Sequence, residues 1–173
     1  MNETVKTLCS RASCRSFRSE QISISELREV LAAGSHAPSG MNRHSARAVA
    51  VQDPEKIKLL SQLNASVMGG SGDPFYGAPA ILIVLAEKDW PNRVYDGSLV
   101  MGNLMLAAHS LGLGSIWIHR AREEFELPEG QQLLKELNIP GQWEGIGHCA
   151  VGYIDGEAPA AAKRKAGRVF WAE

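Results

Sequence analysis

Three short runs in this sequence combine residue types suited to holding an anion or a planar polar ligand. The first is Arg11-Ala-Ser13-Cys-Arg15. In an extended segment alternate residues project to one side, which would group Arg11, Ser13 and Arg15. Guanidinium forks match phosphate oxygens in shape and charge, and a hydroxyl adds a further donor. The second run is Pro38-Ser39-Gly40-Met41-Asn42. Gly and Asn tolerate positive φ, so this loop can turn backbone amides toward a ligand, with Ser39 and Asn42 as added polar contacts. The third is Lys163-Arg164-Lys165, followed by Phe170-Trp171. Adjacent cations usually mark a solvated tail. They gain meaning if the tail folds back toward Arg11, with the two aromatics as its anchor. Taken singly, each run reads equally as an ordinary turn, connection or tail.

Other reactive residue types lack a pattern. His36, His44, His109, His119 and His148 show no H-E-x-x-H or similar ligand spacing, so no metal site is expected. His109 and His148 read as core or surface histidines. Cys9, Cys14 and Cys149 are odd in number and form no C-x-x-C pair, which points to free thiols in a reducing, cytoplasmic setting. Cys14, between two arginines, is a candidate low-pKa thiol, yet no His or Asn arrangement accompanies it. Ser39 is not part of a G-x-S-x-G elbow, and no G-x-G-x-x-G follows a strand pattern. No catalytic side chain stands out. Electron transfer by this chain would therefore need a cofactor.

The elements that must position these runs follow from length and pattern. The chain has 173 residues, about one domain at roughly 150 residues each, and is read as a single domain over 1–173. Apolar residues make up 45% and charged residues 21%, which excludes a disordered or collagen-like chain. The net charge of -1 leaves no basic excess for nucleic acid or an anionic membrane. The longest apolar run, Ala80 to Ala86, is too short to cross a bilayer, and no apolar leader pattern is visible.

Apolar spacing predicts a short helix over 4–12. A second helix is expected from Glu26 to Gly34 with Ser25 as its N-cap. Arg28 stands where a capping box needs Glu or Gln, so no box is expected. A strand is predicted over 46–52. Pro54 opens a helix with Ile57, Leu60, Leu63 and Val67 on one face, and 69–73 reads as a flexible loop. Residues 80–85 are apolar on both faces, as a central strand requires. The stretch 96–111 is rich in Leu, Met and Ala on nearly every face. It is expected to be a helix buried all round, or one packed against a second subunit. A strand at 116–118, a helix at 131–137 and a strand at 146–154 complete the set. Without a clean βαβ rhythm, the pattern reads as α+β, helices packed on one sheet.

Seven motifs in register resemble the nitroreductase family of FMN-dependent oxidoreductases. They are Arg-Ala-Ser-Cys-Arg-Ser-Phe at 11–17, Ala-Pro-Ser-Gly-Met-Asn-Arg at 37–43, Asp-Pro-Phe-Tyr-Gly-Ala-Pro at 73–79, the run from Asp96 to Ser115, Trp117-Ile-His-Arg, Gly147 to Tyr153, and the Lys-Arg-Lys tail. The similarity spans nearly the whole chain and is strongest to the family's short members. It implies a mostly antiparallel central sheet flanked by helices, and an interlocked homodimer with FMN at the interface. Arg11 and Ser13 match positions that hold the FMN phosphate. Arg15 matches a position near the pyrimidine end of the flavin, where a cation stabilises the charge of the reduced ring. Pro38, Ser39, Gly40, Met41 and Asn42 match a loop that reaches the flavin from the other subunit. Trp117, Ile118, His119 and Arg120 match the segment beside N5 of the ring. Arg164, with Lys163 or Lys165, matches the C-terminal phosphate ligands.

The activity so implied is ping-pong transfer of electrons from NADH or NADPH, through FMN, to a nitroaromatic, quinone or similar small acceptor. Alternatives within the resemblance are flavin fragmentation, dehalogenation, enone reduction, or a non-catalytic flavin-binding protein. An anion-binding domain without flavin is a further one. Two departures stand out. His44-Ser45-Ala46 replaces the Gln-Pro-Trp common in relatives, and His119-Arg120 stands where many have small residues. Those two side chains would narrow the pocket, bind an acidic substrate, or lie away from it.

Overall fold

The most apolar run of the chain becomes an inner strand of its sheet. The computed structural model describes residues 1–172. Among them, β1 (Ala46–Val51), β2 (Ala80–Glu87), β3 (Gly114–Ile118) and β4 (Trp143–Gly152) form one sheet in the order β1-β2-β4-β3. Every neighbouring pair is antiparallel. Successive side chains of a strand point to opposite faces. Ile81, Ile83 and Leu85 therefore enter one core, and Leu82, Val84 and Ala86 the other. Both faces are covered, which is why the run is apolar throughout.

Helices α2 (Ile24–Ser35) and α4 (Arg93–Ser110) cover the Leu82 face through Leu27, Val30, Met101 and Leu104. The Ile83 face is covered by α3 (Pro54–Val67), α5 (Ala121–Glu124) and α6 (Pro128–Glu136), through Leu60, Ala121, Phe125 and Leu133. Helix α1 (Glu3–Ser10) buries no residue. This is the expected α+β class. Helix α3 starts as its sequence predicts, with Pro54 in the first turn and the Asp53 carboxylate accepting the Glu55 and Lys56 amides.

Two local boundaries are corrected, and two readings that the sequence leaves open gain detail. Helix α2 starts earlier than predicted, on Ser23, and it has a capping box: Ser23 Oγ accepts the Glu26 N–H at 3.2 Å, and Glu26 accepts the Ser23 N–H at 3.1 Å. Ile22 before the cap and Leu27 in the first turn are buried in the same core, a hydrophobic staple that sets this start. Helix α4 is not buried all round in the single chain, which leaves the other half of the expectation, a face available to a second subunit. It buries Asp96, Gly97, Val100, Met101, Leu104 and Ala108, while Tyr95 is 71% exposed and Val94 and Leu99 are exposed too. A sheet can cover only one face of a helix. Third, β4 begins at Trp143 because its pairing with β2 continues to Glu87. Lastly, the tail does not fold back on its own chain. Lys163, Arg164 and Lys165 are exposed, as are Phe170 and Trp171 at 88% and 89%. Among the described residues, no helix is long and apolar enough to cross a membrane.

Candidate functional site

The Arg11 run leaves α1 and lies along the ends of β3 and β4. The Cys14 amide donates to the Ser115 carbonyl at 3.0 Å, and the Arg18 amide to the Tyr153 carbonyl at 2.9 Å. Cys14 is buried and its thiol donates to the Ser16 carbonyl, so it is a packing residue rather than an exposed nucleophile. Gly114 is required beside it, since a Cβ there would sit 2.8 Å from the Cys14 side chain. Ser13 is half-buried and Arg15 is exposed. Arg11 is half-buried, and its Nη1 is fully buried with no hydrogen-bond partner. Burial pushes the nearby Cys149 thiol up to about 12, against the opposing charge of Arg11.

Trp117 stands on β3 directly across from Cys149 on β4. Its indole packs over Gly147, where a Cβ would collide with Nε1. That Nε1 is also buried without an acceptor. An unpaired buried donor costs about 1–3 kcal/mol. Arg11 Nη1 lies near Cys149, and Trp117 Nε1 lies against Gly147, two residues along β4. Two such donors suit a ligand rich in acceptor atoms. A third orphan, His148 Nδ1, is enclosed in the core.

The loop 38–42 contains a 3-10 turn, Gly40–Asn42, and is held by Asp96 near the start of α4. Asp96 Oδ1 accepts the Gly40 amide at 2.9 Å. Its Oδ2 accepts the Ser45 hydroxyl at 2.7 Å and the Trp90 indole N–H at 2.8 Å. Burial alone would raise the pKa of Asp96, but these three hydrogen bonds together hold it below the usual value. Met41, Asn42 and His44 all have positive φ, 53°, 54° and 53°. Such residues cost of order 1 kcal/mol each and persist where surrounding contacts enforce them. Ser39 Oγ accepts the His44 amide at 2.8 Å, and Met41 is 90% exposed at the tip. Pro38 is exposed, and a Cβ at Gly40 would push aside the amide end of Asn92. The sequence reading missed Asp96, Ser45 and Trp90 as supports of this loop. The available signal was an acid inside an otherwise apolar helix, since such an acid is rarely buried unless bonded.

After β3 the chain turns at His119 and Arg120. Ile118 is buried and His119 exposed. Arg120 has φ 75°. Its Nε and Nη2 donate to Asn64 Oδ1 at 3.2 and 2.9 Å, so this side chain is tied to α3. Trp117, His119, Arg120 and Ile146, with Val94 and Ser98 of α4, line a cavity of about 390 Å³.

Within one chain these runs do not all meet. Ser10, next to Arg11, bonds His109 at 2.8 Å, whereas Gly40 bonds Asp96. His109 and Asp96 are 13 positions apart on α4, about 20 Å along the axis at 1.5 Å per residue. Among the described residues, Lys163, Arg164 and Lys165 form no hydrogen bond or ion pair with either run.

The model of the nitroreductase family matches residues 8–153. A protein of Archaeoglobus fulgidus, named as a candidate NADH dehydrogenase/NAD(P)H nitroreductase, is 30% identical over 159 residues, covering 88% of this chain and 86% of the relative. The iodotyrosine deiodinase of Thermotoga neapolitana is 28% identical over 173 residues, covering 86% and 87%. The crystal structure of a nitroreductase with bound FMN from Bacteroides fragilis superimposes with a TM-score of 0.92, at 28% identity and full coverage of both chains. A family match over most of the chain and a shared fold over all of it agree with the site motifs: the chain belongs to the nitroreductase family.

Proposed function

We propose that this protein is an FMN-dependent oxidoreductase, a single domain that works as a homodimer in the cytoplasm. It moves electrons from NADH or NADPH to a small organic acceptor, such as a nitroaromatic or a quinone, by a ping-pong mechanism. The observation that carries this reading is the pair of buried, unpartnered donors, Arg11 Nη1 and Trp117 Nε1, in a fold shared with an FMN-bound nitroreductase. Donors without acceptors fit a ligand that bears phosphate and ring carbonyl oxygens. When bound, FMN supplies the redox chemistry, taking electrons from the nicotinamide and giving them to the acceptor.

The chain's own residues bind, orient and balance charge. Arg11 and Ser13 hold the phosphate, joined by Arg164 and by Lys163 or Lys165. Exposed Arg15 offers a fixed cation to the pyrimidine end of the ring. Residues 117–120 wall one side of the site. Pro38, Ser39, Gly40, Met41 and Asn42 serve the site of the second copy, because α4 separates them from Arg11 of their own chain by about 20 Å. Likeness to a deiodinase makes a halogenated aromatic a second acceptor class to assay.

The test is an absorption spectrum after FMN is added, then anaerobic NADH and NADPH, then a panel of acceptors. A flavin spectrum that bleaches with either donor and recovers with an acceptor is expected. A colourless protein would end the flavin reading, and an unreduced flavin would leave a binding protein.

A further inference from the structure

A chain of buried polar side chains runs from the middle of β4 to the His119–Arg120 turn. His148 Nε2 lies 2.8 Å from Glu124 Oε2, and Glu124 Oε1 accepts from Asn64 Nδ2. The same Asn64 Nδ2 donates to the His119 carbonyl at 2.7 Å, while Oδ1 accepts from Arg120. Asn64, Glu124 and His148 are fully buried, and Phe75 and Phe125 meet the imidazole edge-on. The partners leave one orientation for the amide. A guanidinium can only donate, and a backbone carbonyl can only accept. Asn64 is thus the hub, joining α3, α5 and the turn after β3.

Such a network is costly to build. A buried carboxylate loses several kcal/mol of hydration unless its lone pairs are satisfied, and an apolar core would be simpler. The network reaches the surface at the turn, where a non-glycine residue sits at φ 75°. That conformation is unfavourable for a residue with a Cβ, and the Arg120 side chain folds inward to be held in it. The turn walls the cavity beside Trp117.

We propose that Asn64 is a positioning residue for the cofactor site. Its amide clamps the His119 carbonyl and the Arg120 guanidinium, and so fixes the main chain of this turn where it walls the flavin pocket. The inference rests on the FMN reading above, and it acts through the turn rather than by contact with any ligand.

The test compares wild type with Asn64→Ala. Hydrogen–deuterium exchange is measured on the flavin-free proteins, and FMN affinity and visible flavin circular dichroism on the loaded ones. Exchange of the 118–121 amides is expected to quicken by about 10-fold, with central β2 and β4 amides unchanged. FMN affinity is expected to fall by roughly 5- to 20-fold, with an altered flavin dichroism band. Local exchange and flavin signals identical to wild type would overturn the proposal. So would uniformly faster exchange with unchanged flavin signals, which marks a purely structural residue. If Asn64→Ala does not fold, Arg120→Met breaks the surface end of the same clamp, and because Arg120 itself walls the site, exchange of the 118–121 amides in the flavin-free protein decides. Wild type that takes up no FMN removes the flavin reading, and exchange at the turn then judges the clamp alone.

Discussion

At Asp96 burial pushes the pKa up, while bonds from Gly40, Ser45 and Trp90 pull it below the usual 3.8. The sign of the pH effect follows. A carboxylate whose folded pKa is depressed contributes stability above its unfolded pKa and loses it as pH falls through the folded one. Asp96→Asn is expected to destabilise the fold by about 2–3 kcal/mol at pH 7 in urea unfolding, since it places an amide donor against buried donors. That difference should begin to shrink as pH falls below about 4, where Asp96 of the unfolded chain takes up a proton, and go on shrinking until the folded carboxylate, held lower, is protonated too. A difference constant down to pH 3 would refute the hydrogen-bond account. Arg15 is exposed, so its removal should spare the fold. Arg15→Ala is expected to lower FMN affinity or the rate of flavin reduction by about 10-fold, read by fluorescence titration and stopped-flow absorbance. Unchanged values would remove Arg15 from the site.

Among the elements, α5 is the short one that carries most responsibility. Its four residues link the His119–Arg120 turn to the core through Ala121 and Glu124. It packs so closely on β4 that a Cβ at Gly145 would lie 2.3 Å from the Ala121 carbonyl oxygen. Backbone cannot swing aside as a side-chain end can. Gly145→Ala is therefore expected to cost about 3 kcal/mol in stability, seen as a lower thermal midpoint, and to loosen the turn. A midpoint within one degree or so of wild type would show that α5 shifts freely. Helix α5 was invisible in the sequence because four residues carry too little periodicity to register. Helices α3 and α4 were legible, because each offers a long patterned run. The start of α2 was misjudged by its cap, since Ser23 and Ser25 are chemically alike and only the burial of Ile22 chooses between them.

For the whole molecule, the split site makes a dimer part of the proposed chemistry. Light scattering is expected to give about 37 kDa, twice the 18.7 kDa chain, as two-fold assembly is the commonest kind. Exposed Val94, Tyr95 and Leu99 on α4, with Phe170 and Trp171 in the tail, are part of the exposed apolar surface it could cover. Subunit mixing tests the shared site directly. Arg11→Ala and Asn42→Ala are each expected to hold FMN poorly. A co-expressed mixed dimer then regains one intact site, so bound FMN should recover to about one per dimer. No recovery would mean that both residues serve the site of their own chain.

The family, the α+β class, the central strand and the three polar runs were all legible in the sequence. Each is carried by local composition or by short motifs in register. Their relation in space was not. Asp96 under the 38–42 loop, Asn64 behind Arg120, and the distance along α4 from Arg11 to Gly40 join residues far apart in the chain. Sequence spacing holds no record of such contacts, because burial and hydrogen-bond satisfaction are settled only when the sheet and its helices pack. The inward turn of Arg120 shows this most plainly. The sequence leaves open whether this side chain narrows the pocket, meets an acidic substrate or lies away; packing against α3 ties its guanidinium to Asn64 Oδ1, while the residue still lines the cavity beside Trp117.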